Sequence, residues 1–535
     1  MRVLTFCAFV AMTAPAYTQT VPSAPSITAG PEQKGLRFDW EPVADATRYE
    51  LEYKANADSV FAQIGNDYPA SATSARFRLP LHLFDWTKAR YRVAACNSAG
   101  CTRSNEVSVS ELRRDAVVYV KASDSEPELQ FGDEVDVTPD GLNFVVSAPH
   151  NSGQYLAEDS DGAAYVFGRR RDGTWFQRAK LSIPEPNVGA LYGRAMRVSI
   201  SADGNTVAVS VPSFEHSEFD SNRGEVYVFR FNGTTWARAR LYTGYRSGFG
   251  SVLELNDAGD TLLTEDLFDR WLVYKLQDGA WNPVRMIQNP RGRFCSHPIF
   301  SGDGSVIAQH CGTRVTNNMN DVYLRTHSGS NWTTVHDVLI AASFPSTHFR
   351  TGFAIDDSGD TIALGSGRSY STHPEDWPPP TTGDGKVTVF KRSSGVYTKV
   401  ADLFPGVWRS DPYKGAFGFQ IALSGDGNTL AIGDPLDNGL GAGPQSPPLA
   451  AGTVNTGAVY VYRFRDTWRL MSVMKPNYPD TRVSPYLKSF GADVDLNGNG
   501  HTLLVTDDAE SSDATGVGGD GSNQGAVRSG AVWIY

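Results

Sequence analysis

The strongest constraint on this chain is a frame that recurs seven times over roughly its last four hundred residues. The clearest copy opens at Phe417-Gly418, runs through Ile421-Ala422-Leu423, turns at Ser424-Gly425-Asp426-Gly427-Asn428 and returns through Thr429-Leu430-Ala431-Ile432-Gly433. Gly457-Ala458-Val459-Tyr460-Val461-Tyr462 supplies a third run, and Trp468 to Met474 a fourth. Short runs rich in β-branched and aromatic residues, bounded by turn residues, predict strands, so each copy is a four-stranded sheet. One such sheet cannot cover its own apolar faces, and the copies must stack.

The other copies keep the frame. Phe131-Gly132 leads to Asp140-Gly141, Ala164-Tyr165-Val166-Phe167 and Trp175; Tyr192-Gly193 leads to Asp203-Gly204-Asn205-Thr206, Val226-Tyr227-Val228-Phe229 and Trp236. Phe249-Gly250, Phe294-Cys295, Phe349 and Phe490-Gly491 open the rest, and the last ends at Val532-Trp533-Ile534-Tyr535 with no fourth strand. One spare run, Val117-Val118-Tyr119-Val120, stands before the first copy. Pairing the two ends predicts a closed ring, a seven-bladed β-propeller over 116–535, where an open solenoid would leave a long unpaired edge.

At 535 residues the chain is too long for one core. Its 52 Gly and 30 Pro beside 11% aromatics fit an all-β class with many turns. A net charge of -11 argues against nucleic acid or an anionic membrane surface as partner. Arg2, the apolar run Val3 to Met12 and Ala14-Pro15-Ala16 predict a signal peptide over 1–16. No later run approaches the ~20 apolar residues of a membrane span. The mature protein is therefore expected to be secreted, periplasmic or extracellular, and monomeric.

Residues 22–110 alternate differently. Leu36-Arg37-Phe38-Asp39-Trp40, Tyr49-Glu50-Leu51-Glu52-Tyr53, Ala75-Arg76-Phe77-Arg78-Leu79 and Tyr91-Arg92-Val93-Ala94-Ala95 are short strands spaced as in a β-sandwich. With Pro22, Pro25, Trp40 and the Asn97-Ser98-Ala99-Gly100 turn, this stretch resembles a fibronectin type III domain. The resemblance implies a spacer or binding module, with Trp40 and Tyr91 in its core. A short segment, Glu111 to Asp115, joins it to the repeats.

The Phe-Gly openings, the Gly-Asp-Gly-Asn-Thr turns and the Gly-Ala-Val-Tyr-Val-Tyr strands of 116–535 resemble the FG-GAP repeats of integrin α-like propellers. That resemblance implies recognition or adhesion, directed at a surface protein or polysaccharide. Integrin hairpins that hold calcium carry several carboxylates, and calcium takes six to eight oxygen ligands. Here Gly425-Asp426-Gly427-Asn428 offers one carboxylate and Asn497-Gly498-Asn499-Gly500 none, so these read as turns with Gly and Asn at positive φ, and no cofactor is expected. The acids Asp507, Asp508, Glu510, Asp513 and Asp520 read as a solvated loop.

Cys96 with Cys101 and Cys295 with Cys311 each bracket a turn, which predicts two hairpin disulfides. His297 and His310 raise zinc as a rival, but alternation puts His297 on the face of Cys295 and turns His310 away from Cys311. No Gly-x-Ser-x-Gly elbow, paired-histidine motif or phosphate loop is present, and the chain reads as non-enzymatic. A carbohydrate-active hydrolase or lyase is the alternative, which two carboxylates about 5 to 9.5 Å apart in a central pocket would favour. Ligand binding is expected on the face carrying the long loops between second and third strands, with Trp377, Tyr155, Phe214, Phe219 and His373 as candidate contacts.

Overall fold

A computed structural model describes residues 19–83, 88–149, 162–183, 196–212, 224–241, 248–266, 270–288, 293–313, 319–328, 334–341, 352–365, 385–405, 416–439, 441–445, 455–479 and 490–535. The stretch 1–16, expected from the sequence to be a signal peptide, lies outside them. Contacts divide the chain into two units, one from Met1–Pro31, Leu36–Phe77 and Asp85–Leu112, the other from Glu32–Gly35, Arg78–Phe84 and Arg113–Tyr535.

Strands Ile27–Glu32, Gly35–Trp40 and Ser74–Arg78, most of whose residues belong to the first unit, form one three-stranded sheet. Arg48–Lys54 and Arg90–Asn97 centre a second. Alternation turns Leu36, Phe38 and Trp40 of the first and Tyr49, Leu51, Tyr91 and Val93 of the second inward, where all are buried. Ring centroids meet at 4.7 Å for Phe38 and Tyr91 and 5.3 Å for Trp40 and Tyr49. Cys96 and Cys101 stand opposite across a hairpin, Cα atoms 4.1 Å apart, and are disulfide-bonded.

The second unit contains seven four-stranded antiparallel sheets among the described residues, each beginning at one copy of the repeat. Their inner strands are Val135–Val137, Arg197–Ile200, Leu253–Leu255, Arg293–Phe300, Phe353–Ile355, Ile421–Leu423 and Val494–Leu496. Each inner strand lies against that of the next sheet, and the seventh lies against the first. The architecture is β-propeller-like. Burial follows from it: Thr206–Val211, a second strand with neighbouring sheets on both faces, is buried at all positions, whereas the fourth strand Trp236–Leu241 on the rim is mostly exposed.

Val118–Val120 pairs with Ala531–Ile534, Val118 opposite Ile534 and Val120 opposite Val532, and completes the seventh sheet. The first hairpin turns carry the repeat in their backbone. Gly141, Gly204, Gly259, Gly304, Gly359, Gly427 and Gly500 all have φ between 63° and 71°. Asn205 and Asn428 do not share that conformation. Asn428 instead donates its amide to the Asp426 carbonyl, while the Asp426 carboxylate caps the turn by accepting from Ser424 Oγ and Asn428 N. Neighbouring turns are linked by backbone bonds, among them Ala202 N to Asp257 O at 2.9 Å and Asp357 N to Gly425 O at 3.1 Å. Gly498 N to Pro139 O, 2.9 Å, ties the seventh turn to the first.

In sheets two, five, six and seven the glycine just before the third strand meets the phenylalanine that opens the next copy of the repeat. A side chain at Gly530 would come within 2.1 Å of the Phe131 carbonyl oxygen, and one at Gly457 within 2.0 Å of that of Phe490. Both glycines also sit at positive φ, 79° and 72°. The repeat is therefore written by what the joints between sheets exclude.

Candidate functional site

Tyr155, Phe214, Phe219, His373 and Trp377 all lie outside the described residues. Two of the long loops are described in whole or part, those after the second strands of sheets six and seven. A buried lysine anchors each. Lys475, just after the fourth strand Trp468–Met474, directs Nζ to Asp437 Oδ1 at 2.5 Å, Gly457 O at 2.7 Å and Thr456 Oγ1 at 3.1 Å. Asp437 also accepts from Gly439 N at 2.6 Å and from Tyr460 OH at 3.0 Å.

Lys121, just after Val118–Val120, occupies the same place in sheet seven. Its Nζ reaches Glu510 Oε2 at 2.5 Å, Ser529 Oγ at 2.6 Å and Ser512 O at 3.0 Å. Burial lowers the pKa of Lys121, and the Glu510 charge opposes that shift. Asp507, Asp508 and Glu510 are buried, so the expectation of a solvated acidic loop fails for these three. The inserted ammonium supplies the charge that lets Glu510 leave water. Asp513 and Asp520 keep more exposure.

The inner strands carry an acidic cluster that the sequence reading missed. Carboxylates of one inner strand accept backbone N–H groups of the next. Asp493 takes Val135 N at 2.8 Å, Asp495 takes Val137 N at 2.7 Å, Glu134 takes Val198 N at 2.8 Å and Asp136 takes Ile200 N at 2.8 Å. Ser199 Oγ continues the ladder to Leu255 N at 3.0 Å. These bonds join sheets seven, one, two and three, the part of the ring that contains its closure. Arg197 is a cation of the cluster, 3.3 Å from Glu134, and the two side chains keep 26% and 23% of their surface exposed.

Enclosure by protein raises the carboxyl pKa values, Glu134 to about 8 and Asp136 to about 6, while Asp495 and Glu254 also lie above the usual range. Neighbouring carboxylates add to the shift: Asp136 and Glu134 act on Glu254, and Asp136 acts on Asp495. The signal was present in Val135-Asp136-Val137, Leu253-Glu254-Leu255 and Val494-Asp495-Leu496, where an acid interrupts strands that the ring must bury.

For the cysteines, Cys295 stands opposite Cys311 in strand register, as a hairpin disulfide requires. The strand register shifts between Ser296 and Ile299, the stretch that contains His297. Among the described residues one group of acid and cysteine side chains is close enough to share a metal ion, Glu50, Cys96 and Cys101, and its sulfurs are bonded to each other. No described helix is long and apolar enough to cross a membrane.

No protein-family profile and no curated protein matches the chain. Among solved structures it is similar to hydrazine synthase of Kuenenia stuttgartiensis, with 12% identity over 72% of this chain and 93% of that one and a TM-score of 0.41. It is also similar to the RRP9 WD40 repeats, with 10% identity over 78% and 97% and a TM-score of 0.44. The U3-55K structure gives 11% identity over 78% and 98%, again with a TM-score of 0.44.

Proposed function

We propose that this is an exported, non-enzymatic recognition protein, a seven-bladed FG-GAP-type propeller behind a fibronectin type III-like module, which binds a surface protein or polysaccharide through its long-loop face. The observation that carries the reading is the pair of buried lysines. Loops on an already closed scaffold gain nothing for closure by being pinned from within, but a pinned loop meets a ligand with its ordering cost already met. A second disulfide, Cys295 with Cys311, belongs to the same reading and is supported by their register. The test is capture of glycans and matrix proteins by the full chain. Trp377→Ala with Tyr155→Ala should weaken capture, and Asn205→Ala at the hairpin-turn end should not; the reverse pattern would overturn the assignment of the face.

The hydrolase or lyase alternative draws on the inner-strand carboxylates. Against it, Glu134, Asp136, Asp493 and Asp495 each already accept a backbone amide from a neighbouring strand. Incubating the same glycans and assaying new reducing ends separates the two readings, since release of product would favour the enzyme.

A further inference from the structure

At the hairpin-turn end of sheets six and seven the second unit holds a cavity of about 560 Å³, lined by Asn428, Arg463, Phe464, Arg465, Met471 and His501 together with Pro80 and Leu83. Asn428 and His501 come from the first hairpin turns of the two sheets. Arg463 and Phe464 end the third strand Ala458–Phe464, and Met471 lies on the fourth. Among the described residues no carboxylate or carbonyl engages the Arg463 or Arg465 guanidinium. Lys391 adds a third cation, its Nζ 4.0 Å from the centre of the Phe464 ring.

This concentration of positive charge is unusual in a chain of net charge -11. Two imidazoles beside the cavity feel these charges, second to their burial. The His501 pKa is lowered, by burial first and then by Arg463 and Lys34, with Asp426 opposing. That of His82, fully buried, falls to about 3, by burial first and then by Lys34, His501 and Arg463, against its hydrogen bond to the Gly500 carbonyl. Lys34, also buried, donates to Thr502 Oγ1. Asp426 is committed to Ser424 Oγ and Asn428 N.

We infer that this cavity binds the acid group of an anionic saccharide, with Arg463 and Arg465 as its charged donors and Met471 and Leu83 as an apolar wall for the sugar ring. Guanidinium groups suit a planar carboxylate or a sulfate because they donate two parallel N–H bonds. The site is at the opposite end of the sheets from the second-to-third-strand loops, so it stands or falls separately from the loop-face reading.

The experiment titrates the full-length protein at low ionic strength with oligogalacturonate, with a heparin-derived oligosaccharide and with neutral dextran, by calorimetry and by the His501 imidazole resonance. The expected result is binding of one or both acidic sugars but not dextran, weakened by added salt, with the His501 pKa rising as the anion enters. Arg463→Gln with Arg465→Gln should cut affinity on the order of tenfold or more at an unchanged melting temperature. The carboxylate and sulfate arms identify the acid group. Absence of binding to either polyanion, equal binding of dextran, or wild-type affinity in the double variant would overturn the inference.

Discussion

Lys475 shows how much one residue can fix. Its side chain and that of Asp437 each keep only 3% of their surface exposed. Replacing it by Met removes from the buried Asp437 carboxylate the ammonium that lies 2.5 Å from its Oδ1. Lys475→Met should therefore cost about 3–5 kcal/mol in urea unfolding, whereas Lys475→Met with Asp437→Leu should recover most of that. A single variant as stable as the wild type would mean that the pair anchors nothing. Neither partner is conspicuous in the sequence. Lys475 follows an ordinary outer strand, and Asp437 sits in a loop that composition alone reads as solvated.

At the scale of elements, strand runs and hairpin turns were legible because each obeys a local rule, period-two burial or a glycine at positive φ. The spare strand Val118–Val120 was legible by counting. The inner-strand ladder was not, since it depends on which strands of distant copies become neighbours. Its consequence is a pH dependence. Carboxyls of an unfolded chain titrate near about 4. In the folded chain Asp136 holds its proton to about 6 and Glu134 to about 8. Between those limits the folded state carries the extra protons, so stability falls as pH rises. The contribution is complete below about pH 4 and is lost as pH passes through the folded values. The melting temperature should drop between pH 5 and pH 8.5, and Asp495→Asn with Glu134→Gln should flatten that drop. A wild-type profile that rises over this range, or variants that keep its slope, would contradict the ladder as the source.

For the whole molecule the decisive feature is that the ring is closed by a strand from the other end of the repeat region. Val118–Val120 supplies the outer strand of sheet seven, and the residue that follows it, Lys121, anchors that sheet's loop through Glu510. The same few residues thus cover the edge of Ala531–Ile534 and hold the loop between Asp507 and Ser529. Circular closure also means that the joint between sheets seven and one resembles the others: Gly530 packs on Phe131 as Gly457 packs on Phe490, and Asp493 and Asp495 reach strand Val135–Val137 as Glu134 and Asp136 reach Arg197–Ile200. Deleting residues 116–122 removes the outer strand while leaving those inner contacts in place. The ring should stay assembled but expose Ala531–Ile534 as a free, apolar edge, the geometry that recruits strands from other molecules. Light scattering should then show concentration-dependent association, and the melting temperature should fall. If the truncated chain stayed monomeric at the wild-type melting temperature, this strand would not be what protects the edge of Ala531–Ile534.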